Sequence, residues 1–164
     1  MGLATAQLLS TRGAIISLAD INQEGLKTAV QSLTNSEKHI FTVVDVRSSQ
    51  SVDSWIASTV QKLGRLDGAV NMAGVITTAT PITEVTDDNW NFSFDVNARG
   101  VFYCVRAQLR AMSDGASIVR LPLSGNPDHQ KIHTAKSICI PPLSNPPVAD
   151  GGCQNSSWNR KVKI

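Results

Sequence analysis

The sequence predicts an α/β protein in which helices cover both faces of a parallel β-sheet. Short apolar segments alternate along the chain with longer segments that have the 3.6-residue apolar spacing of helices. Three of the apolar segments end in a carboxylate or amide side chain, which is typical of buried parallel strands. The alternation implies right-handed crossover connections. The predicted class is therefore a doubly wound α/β sheet.

The first predicted elements form a helix, a strand and a helix. The first helix covers residues 2–12, with Gly13 expected to end it. The segment AIISLAD (14–20) is expected to be a buried strand. The next helix covers residues 22–34, with Asn22 as its possible N-cap. The apolar faces of the two helices comprise Leu3, Ala6, Leu8 and Leu9 in the first, and Leu26, Val30 and Leu33 in the second.

The same alternation continues to about residue 119. HIFTVVD (39–45) repeats the pattern of a strand followed by an aspartate, and residues 49–63 have a helical apolar stripe. LDGAVNMAG (66–74) is predicted to be a strand that leads into a turn with a glycine. Residues 87–113 have one long helical pattern, and ASIV (116–119) begins a further strand.

The composition changes sharply near residue 120. Residues 1–119 hold nine basic and eleven acidic side chains, whereas residues 120–164 hold six basic and two acidic ones. Six of the seven prolines lie after residue 120. Because proline donates no hydrogen bond, PPLSNPP is incompatible with a helix or an interior strand. We therefore predict an α/β domain over residues 1–119 and an irregular, disordered tail over residues 120–164, which cannot supply a central strand.

The overall composition excludes several classes of protein. A net charge of +2 in 164 residues does not indicate a nucleic-acid partner. No apolar run approaches the roughly 18 residues that a membrane span requires. The chain start lacks a basic leader, and the three cysteines form no CxxC pair. We expect a cytoplasmic protein without a membrane partner, a disulfide framework or a zinc site.

The first candidate site pairs Gly2 with Asp20. In a dinucleotide-binding unit, a glycine at a helix start lets the backbone approach the pyrophosphate. An acidic residue about 20 positions later then binds the ribose hydroxyl groups. Gly2 precedes Asp20 by 18 positions, which fits that arrangement. Taken alone, the two residues are explained more simply by a chance glycine and an aspartate that caps a strand.

The ends of the next two predicted strands carry further candidates. Asp45 and Val46 follow one strand, and Asn71, Ala73 and Gly74 follow the other. Ligands of open α/β sheets bind at this carboxyl edge. Asn71 is suited to satisfy free backbone groups there, and the two small residues let a flat ligand approach. Ordinary turn chemistry is the alternative for these residues.

Asn97 stands in the middle of the long predicted helix. A short amide side chain is disfavoured at such a position. Two explanations remain open, a surface position without a role or a local reorganisation of the helix around a polar contact.

Together these residues resemble the short-chain dehydrogenase/reductase family over residues 1 to about 119. GLATAQLL is similar to the family's first helix, with Gly2 as the last glycine of a TGxxxGxG loop. NMAG (71–74) is a variant of the family's NNAG motif, and VNARGVFYCVRA resembles the helix that carries its catalytic asparagine. GASIV (115–119) is similar to the strand that leads to the catalytic serine. The implied fold is a Rossmann-like sheet.

The resemblance implies an oxidoreductase that transfers hydride between a nicotinamide cofactor and a small alcohol or ketone. It implies NAD rather than NADP as cofactor because of Asp20, and a homo-oligomer for a complete family member. The implied cofactor-binding residues are Gly2, Asp20, Asp45, Val46, Asn71, Ala73 and Gly74, and the implied catalytic residue is Asn97.

Two parts of the family pattern are not found in this sequence. The first strand with its two glycines is missing, and no YxxxK pattern follows SIV. Ser124, His129, His133 and Lys136 offer only a hypothetical substitute site, and the only tyrosine is Tyr103. In the strand order 3-2-1-4-5-6 of this fold, the missing strand would lie between AIISLAD and LDGAVN and leave an empty position there. We therefore expect a truncated chain that folds poorly alone and is not itself a working dehydrogenase. A non-catalytic remnant that binds cofactor or forms dimers is the alternative.

Overall fold

The structure is a computed structural model that describes residues 1–76, residues 80–120 and the backbone of residues 137–140. The helices are α1 (Gly2–Thr11), α2 (Gln23–Gln31), α3 (Ser49–Leu63), α4 (Asp87–Phe94) and α5 (Val101–Ala111). The strands are β1 (Ser17–Asp20), β2 (Ile40–Val43), β3 (Gly68–Asn71), β4 (Ser117–Arg120) and β5 (Ser137–Ile140). Short 3₁₀ turns cover Ser36–Lys38 and Ile82–Glu84, and a π-helical turn covers Asp95–Gly100.

The described strands form one sheet in the order β2-β1-β5-β3-β4. β1 pairs with β2 and β3 pairs with β4, both in parallel. Two clusters of buried side chains lie on opposite faces of this sheet. One cluster joins α1 and α2 to Leu18 and Val70, and the other joins α3 and α5 to Ala19. Helices on both faces confirm the predicted doubly wound class.

The middle of the sheet differs from the expectation. β5 lies between β1 and β3 and runs antiparallel to both, with Ile138 opposite Leu18 on one side and Val70 on the other. The prediction that the tail cannot fill the central position is therefore wrong for residues 137–140. The reason is local, because SICI stands between prolines and contains none. The division of the chain at residue 119 remains a prediction.

The helix termini follow the sequence closely. The Asn22 side chain accepts a hydrogen bond from the Gly25 backbone N–H at 3.0 Å, which confirms it as the N-cap of α2. Gly13 has a positive φ of 85° just after α1, as a helix stop requires. The prediction that Leu8 belongs to the buried apolar face of α1 is wrong, because its side chain is exposed while Ala6 and Ser10 are buried.

The predicted helix over residues 87–113 is divided by the π-helical turn at Asp95–Gly100. A π turn inserts one extra residue into a helix and is frequent at functional sites. Here it lies between α4 and α5 and includes Asn97.

Candidate functional site

A cleft lies where β1, β2 and β3 end. Its volume is about 140 Å³. Its walls come from the three segments that follow these strands, and from α4 and the π turn. The lining residues are Ala19, Asp20, Ile21, Val44, Asp45, Val46, Arg47, Ala73, Gly74, Val75, Phe92 and Val96. The structure therefore brings together five of the residues predicted from sequence, namely Asp20, Asp45, Val46, Ala73 and Gly74.

Asp20 is the last residue of β1 and is buried. Its Oδ1 accepts a hydrogen bond from the Asn22 backbone N–H at 2.9 Å. The carboxylate therefore stabilises the turn into α2 while it lines the cleft. The structural explanation offered by the sequence therefore applies, because Asp20 holds the turn at the end of its strand, and its role in ribose binding remains a prediction.

Asp45 forms an ion pair with Arg47, two positions later. Arg47 Nη2 donates to Asp45 Oδ2 at 2.6 Å, and Arg47 Nε lies 3.0 Å from both carboxylate oxygens. The Arg47 backbone N–H also donates to Oδ1 at 2.9 Å. These bonds favour the ionised form and lower the pKa of Asp45, and the carboxylate in turn raises the pKa of Arg47.

Arg47 also joins this ion pair to α4. Its guanidinium carbon lies 5.4 Å from the centre of the Phe92 ring, which is a cation–π distance. Sequence analysis missed both residues. Arg47 could have been predicted, because it is a basic residue two positions after an aspartate that ends a strand. Phe92 could not, because nothing in its neighbouring sequence indicates a contact with Arg47.

Asn97 binds the segment after β3, which forms one wall of the cleft, through both the oxygen and the nitrogen of its side-chain amide. Its Oδ1 accepts from the Val75 backbone N–H and its Nδ2 donates to the Val75 carbonyl oxygen, each at 2.8 Å. Val75 and the neighbouring Val96 both line the cleft. Of the two explanations that the sequence left open, the structure has the local reorganisation of the helix around a polar contact.

Asn71 has a different environment from the one expected. It is buried, and its side chain exchanges two hydrogen bonds of 2.8 Å with the buried amide of Gln108 on α5. These bonds fix the end of β3 to α5, and Asn71 does not line the cleft. Its assignment to cofactor binding remains a prediction. Gln108 was missed because a lone glutamine in a helix is usually a surface residue.

The remaining candidates lie elsewhere. Gly2 is buried at the start of α1 and is not part of the cleft wall. Tyr103 packs against the core between α3 and α5, with the Arg106 guanidinium 5.1 Å from its ring centre. Ser124, His129, His133 and Lys136 lie outside the described residues.

Within residues 1–76 and 80–120, no three His, Cys, Asp or Glu side chains are placed to hold a metal ion together. None of the helices in this part of the chain has the length and apolar character needed to cross a membrane.

The cleft has the chemistry that the adenosine end of a nicotinamide dinucleotide requires. Most of its wall is apolar and carries small or branched side chains, which suits a flat ring. Asp20 offers a carboxylate acceptor for hydroxyl groups. The volume is below the roughly 300–1,000 Å³ of pockets that hold whole ligands. The described residues therefore fit one end of such a cofactor.

Comparison with known proteins identifies the relatives of this chain. The sequence model of the family described as enoyl-(acyl carrier protein) reductase matches residues 1–138. The short-chain dehydrogenase/reductase ABA4 of Pyricularia oryzae is 41% identical over 126 residues, which cover 74% of this chain and 47% of that protein. The chanoclavine-I dehydrogenase easD of Claviceps purpurea is 39% identical over 156 residues, which cover 85% of this chain and 60% of that protein.

Solved structures give the same result. A short-chain dehydrogenase/reductase from Brucella melitensis superposes with a TM-score of 0.68 and 30% identity, over 73% of this chain and 52% of that one. A xylitol dehydrogenase with bound NAD⁺ superposes with a TM-score of 0.69 and 30% identity, over 73% and 47% of the two chains. The chain spans about half the length of the ABA4 relatives that it matches. On this evidence, the chain belongs to the short-chain dehydrogenase/reductase family of oxidoreductases.

Proposed function

We propose that the protein is an NAD(H)-preferring oxidoreductase that interconverts an alcohol and a carbonyl group of a small metabolite. The observation that carries the proposal is the cleft at the ends of β1, β2 and β3, lined by Asp20, Asp45 and Val46. The bound cofactor would supply hydride chemistry at its nicotinamide ring. The described residues would bind and orient its other end.

The residues of the cleft would divide this task among them. Asp20 would accept hydrogen bonds from ribose hydroxyl groups, and Asp45 with Val46 would contact the adenine ring. Ala73 and Gly74 would allow the ligand to approach the end of β3. Gly2 would belong to the pyrophosphate end, at the start of α1. Asn97 would hold the Val75 wall through its two 2.8 Å hydrogen bonds.

The charges in the cleft support NAD(H) over NADP(H). Among the described lining residues, Asp20, Asp45 and Arg47 are the ionisable ones. Arg47 is paired with Asp45, and Asp20 places a further carboxylate in the same wall. A 2′-phosphate beside Asp20 would meet like-charge repulsion, whereas ribose hydroxyl groups would find an acceptor.

The test is a titration of the full chain with NADH and with NADPH, followed by cofactor fluorescence. We expect tighter binding of NADH, and a shift toward NADPH in the double variant Asp20→Ala/Ile21→Arg. The matched control is Asp88→Ala/Ile82→Arg, which changes the net charge equally at exposed positions away from the cleft. Tighter binding of NADPH by the unmodified chain would refute the proposed preference.

A dimerisation module is the second candidate, and a specific surface favours it. Trp90, Phe94 and Phe102 on α4 and α5 are 54%, 55% and 56% exposed, and the first two rings stack with centres 5.5 Å apart. Exposed aromatic groups of this kind mark protein interfaces. The proposed partner is a second copy of the chain, and sedimentation velocity would measure it.

Turnover separates the two candidates. Oxidation of NADH with a panel of small ketones would support the oxidoreductase. Dimers that bind NADH without any turnover would support the module. A monomer in sedimentation velocity would refute the module.

A further inference from the structure

Gly100 lies at the point where the π turn meets the wall of the cleft. It is buried, and its backbone has φ −62° and ψ −42°, which are ordinary helical values. Glycine is therefore not needed here for an unusual backbone conformation. The alternative reason for a glycine is space.

The surroundings of Gly100 show that space is limiting. A Cβ atom built at this position would lie 2.8 Å from Val46 Cγ2 and 3.1 Å from Val46 Cβ. It would also lie 3.3 Å from the carbonyl oxygen of Asp95. Carbon atoms in contact are normally about 3.5–4.0 Å apart, so an added methyl group would require a shift.

We expect Val46 to be the residue that an added methyl group at position 100 displaces. The π turn is fixed by the two hydrogen bonds between Asn97 and Val75, and α5 is fixed by the pair between Gln108 and Asn71. Val46 follows β2, and its side chain is partly buried and packs against the core cluster of α3 and α5. Because valine is branched at Cβ, its side chain cannot simply rotate away from the contact.

Val46 also lines the cleft. Gly100 is buried and is not itself part of the cleft wall, so an added methyl group would change the cleft through displacement of Val46. We propose that Gly100 is a positioning residue that sets the width of the cleft at Val46 and thereby the affinity for the adenosine end of a nicotinamide dinucleotide. The identity of this ligand rests on the proposed function.

The test is a double-mutant cycle on the full chain with Gly100→Ala, Val46→Ala and the two together. Binding of NADH and of adenosine 5′-monophosphate is measured for each variant, with the thermal midpoint as a second readout. We expect Gly100→Ala to weaken both ligands by roughly tenfold, within the range that an extra buried methyl group costs. Adding Val46→Ala should restore most of the affinity of Val46→Ala alone, because it removes the 2.8 Å contact with Cγ2, whereas the 3.1 Å contact with Cβ remains.

The outcomes separate this inference from the proposed function. If the unmodified chain binds neither ligand, the proposed function and the ligand named here both fail. If it binds both ligands and Gly100→Ala binds them equally well, the inference about Gly100 is overturned while the proposed function stands. A raised thermal midpoint for Gly100→Ala would also overturn it, because alanine is favoured over glycine in a helix only where it fits. Affinity that stays low in the double variant would exclude Val46 as the intermediary.

Discussion

Single residues in this cleft serve both the fold and the charge balance. Asp45 places a carboxylate at the carboxyl edge of the sheet, yet four hydrogen bonds from Arg47 occupy its two oxygens. The guanidinium is oriented further by the Phe92 ring. The result is an ion pair whose two charges offset each other, in the same cleft wall that holds Asp20.

The substitution Arg47→Met should raise the pKa of Asp45 toward its ordinary range, because the bonds that favour the carboxylate are lost. The lowered pKa means that the pair stabilises the fold above the unfolded-state pKa, and that this contribution is lost as pH falls through the folded-state pKa. Both side chains are partly exposed, so the effect on stability should stay below about 1 kcal/mol. A carbon-detected NMR titration of Asp45 measures the pKa, and equal values in the two proteins would contradict this assignment.

The contact between Asn97 and Val75 can be tested by substitution of Asn97. Its amide satisfies both main-chain groups of Val75, so Asn97→Ala should leave them without these partners and loosen the cleft wall. We expect a loss of roughly 1–3 kcal/mol in stability and faster hydrogen exchange at the Val75 amide. Asn97→Asp should retain the acceptor for that amide and protect it better than alanine does. Equal exchange rates in all three proteins would show that the contact does not restrain Val75.

Some site residues could be predicted from the neighbouring sequence, and others could not because their contacts come from distant parts of the chain. Asp20 and Asp45 were predictable because each ends an apolar strand, and parallel strands bring such ends together. Gln108 was not predictable, since its partner Asn71 is 37 positions away and no spacing rule connects them. The space requirement at Gly100 was equally hidden, because it comes from Val46 on a different element.

At the scale of elements, a buried polar contact joins α3 to β1. The indole Nε1 of Trp55 donates to Ser17 Oγ at 3.0 Å, and Ser17 Oγ lies 2.8 Å from Thr59 Oγ1. All three residues are buried. Because buried polar groups are costly without partners, this contact determines how α3 sits on the sheet.

The substitution Ser17→Ala should destabilise the protein by roughly 1–3 kcal/mol, because the Trp55 indole would lose its acceptor in a buried site. Chemical denaturation followed by tryptophan fluorescence measures the change. Ser113→Ala is the matched control, since Ser113 is exposed and its loss should change stability by less than about 0.5 kcal/mol. Similar effects at the two positions would contradict the role given to this contact.

The division of the predicted long helix by the π turn does not follow from apolar periodicity. Residues 87–113 keep a helical apolar spacing, so periodicity alone predicts one helix. The π turn depends on a contact between Asn97 and Val75, which are 22 positions apart. Asn97 was nevertheless a usable signal, because its amide is disfavoured inside a regular helix.

At the scale of the whole molecule, the sheet is completed by a distant part of the chain. The parallel pairs β1–β2 and β3–β4 follow from the alternation of strands and helices and were predicted. The antiparallel β5 was not, because its sequence lies among prolines and its partners are remote. The expectation of poor folding assumed an empty position between β1 and β3, and that assumption no longer applies.

Because β5 lies in the middle of the sheet, a single substitution in it can test whether it stabilises the protein. Ile138 lies opposite Leu18 on β1 and opposite Val70 on β3, so its backbone belongs to both pairings. A proline at this position donates no hydrogen bond and does not fit an interior strand. Ile138→Pro should therefore unpair the middle of the sheet, at roughly 1–3 kcal/mol for each buried backbone group left without a partner. Differential scanning calorimetry of the full chain should show a lower and broader transition, whereas the control Ile138→Val keeps a β-branched residue and should remain close to the unmodified protein. If the proline variant unfolds at the same temperature as the valine variant, β5 does not hold the two halves of the sheet together in solution.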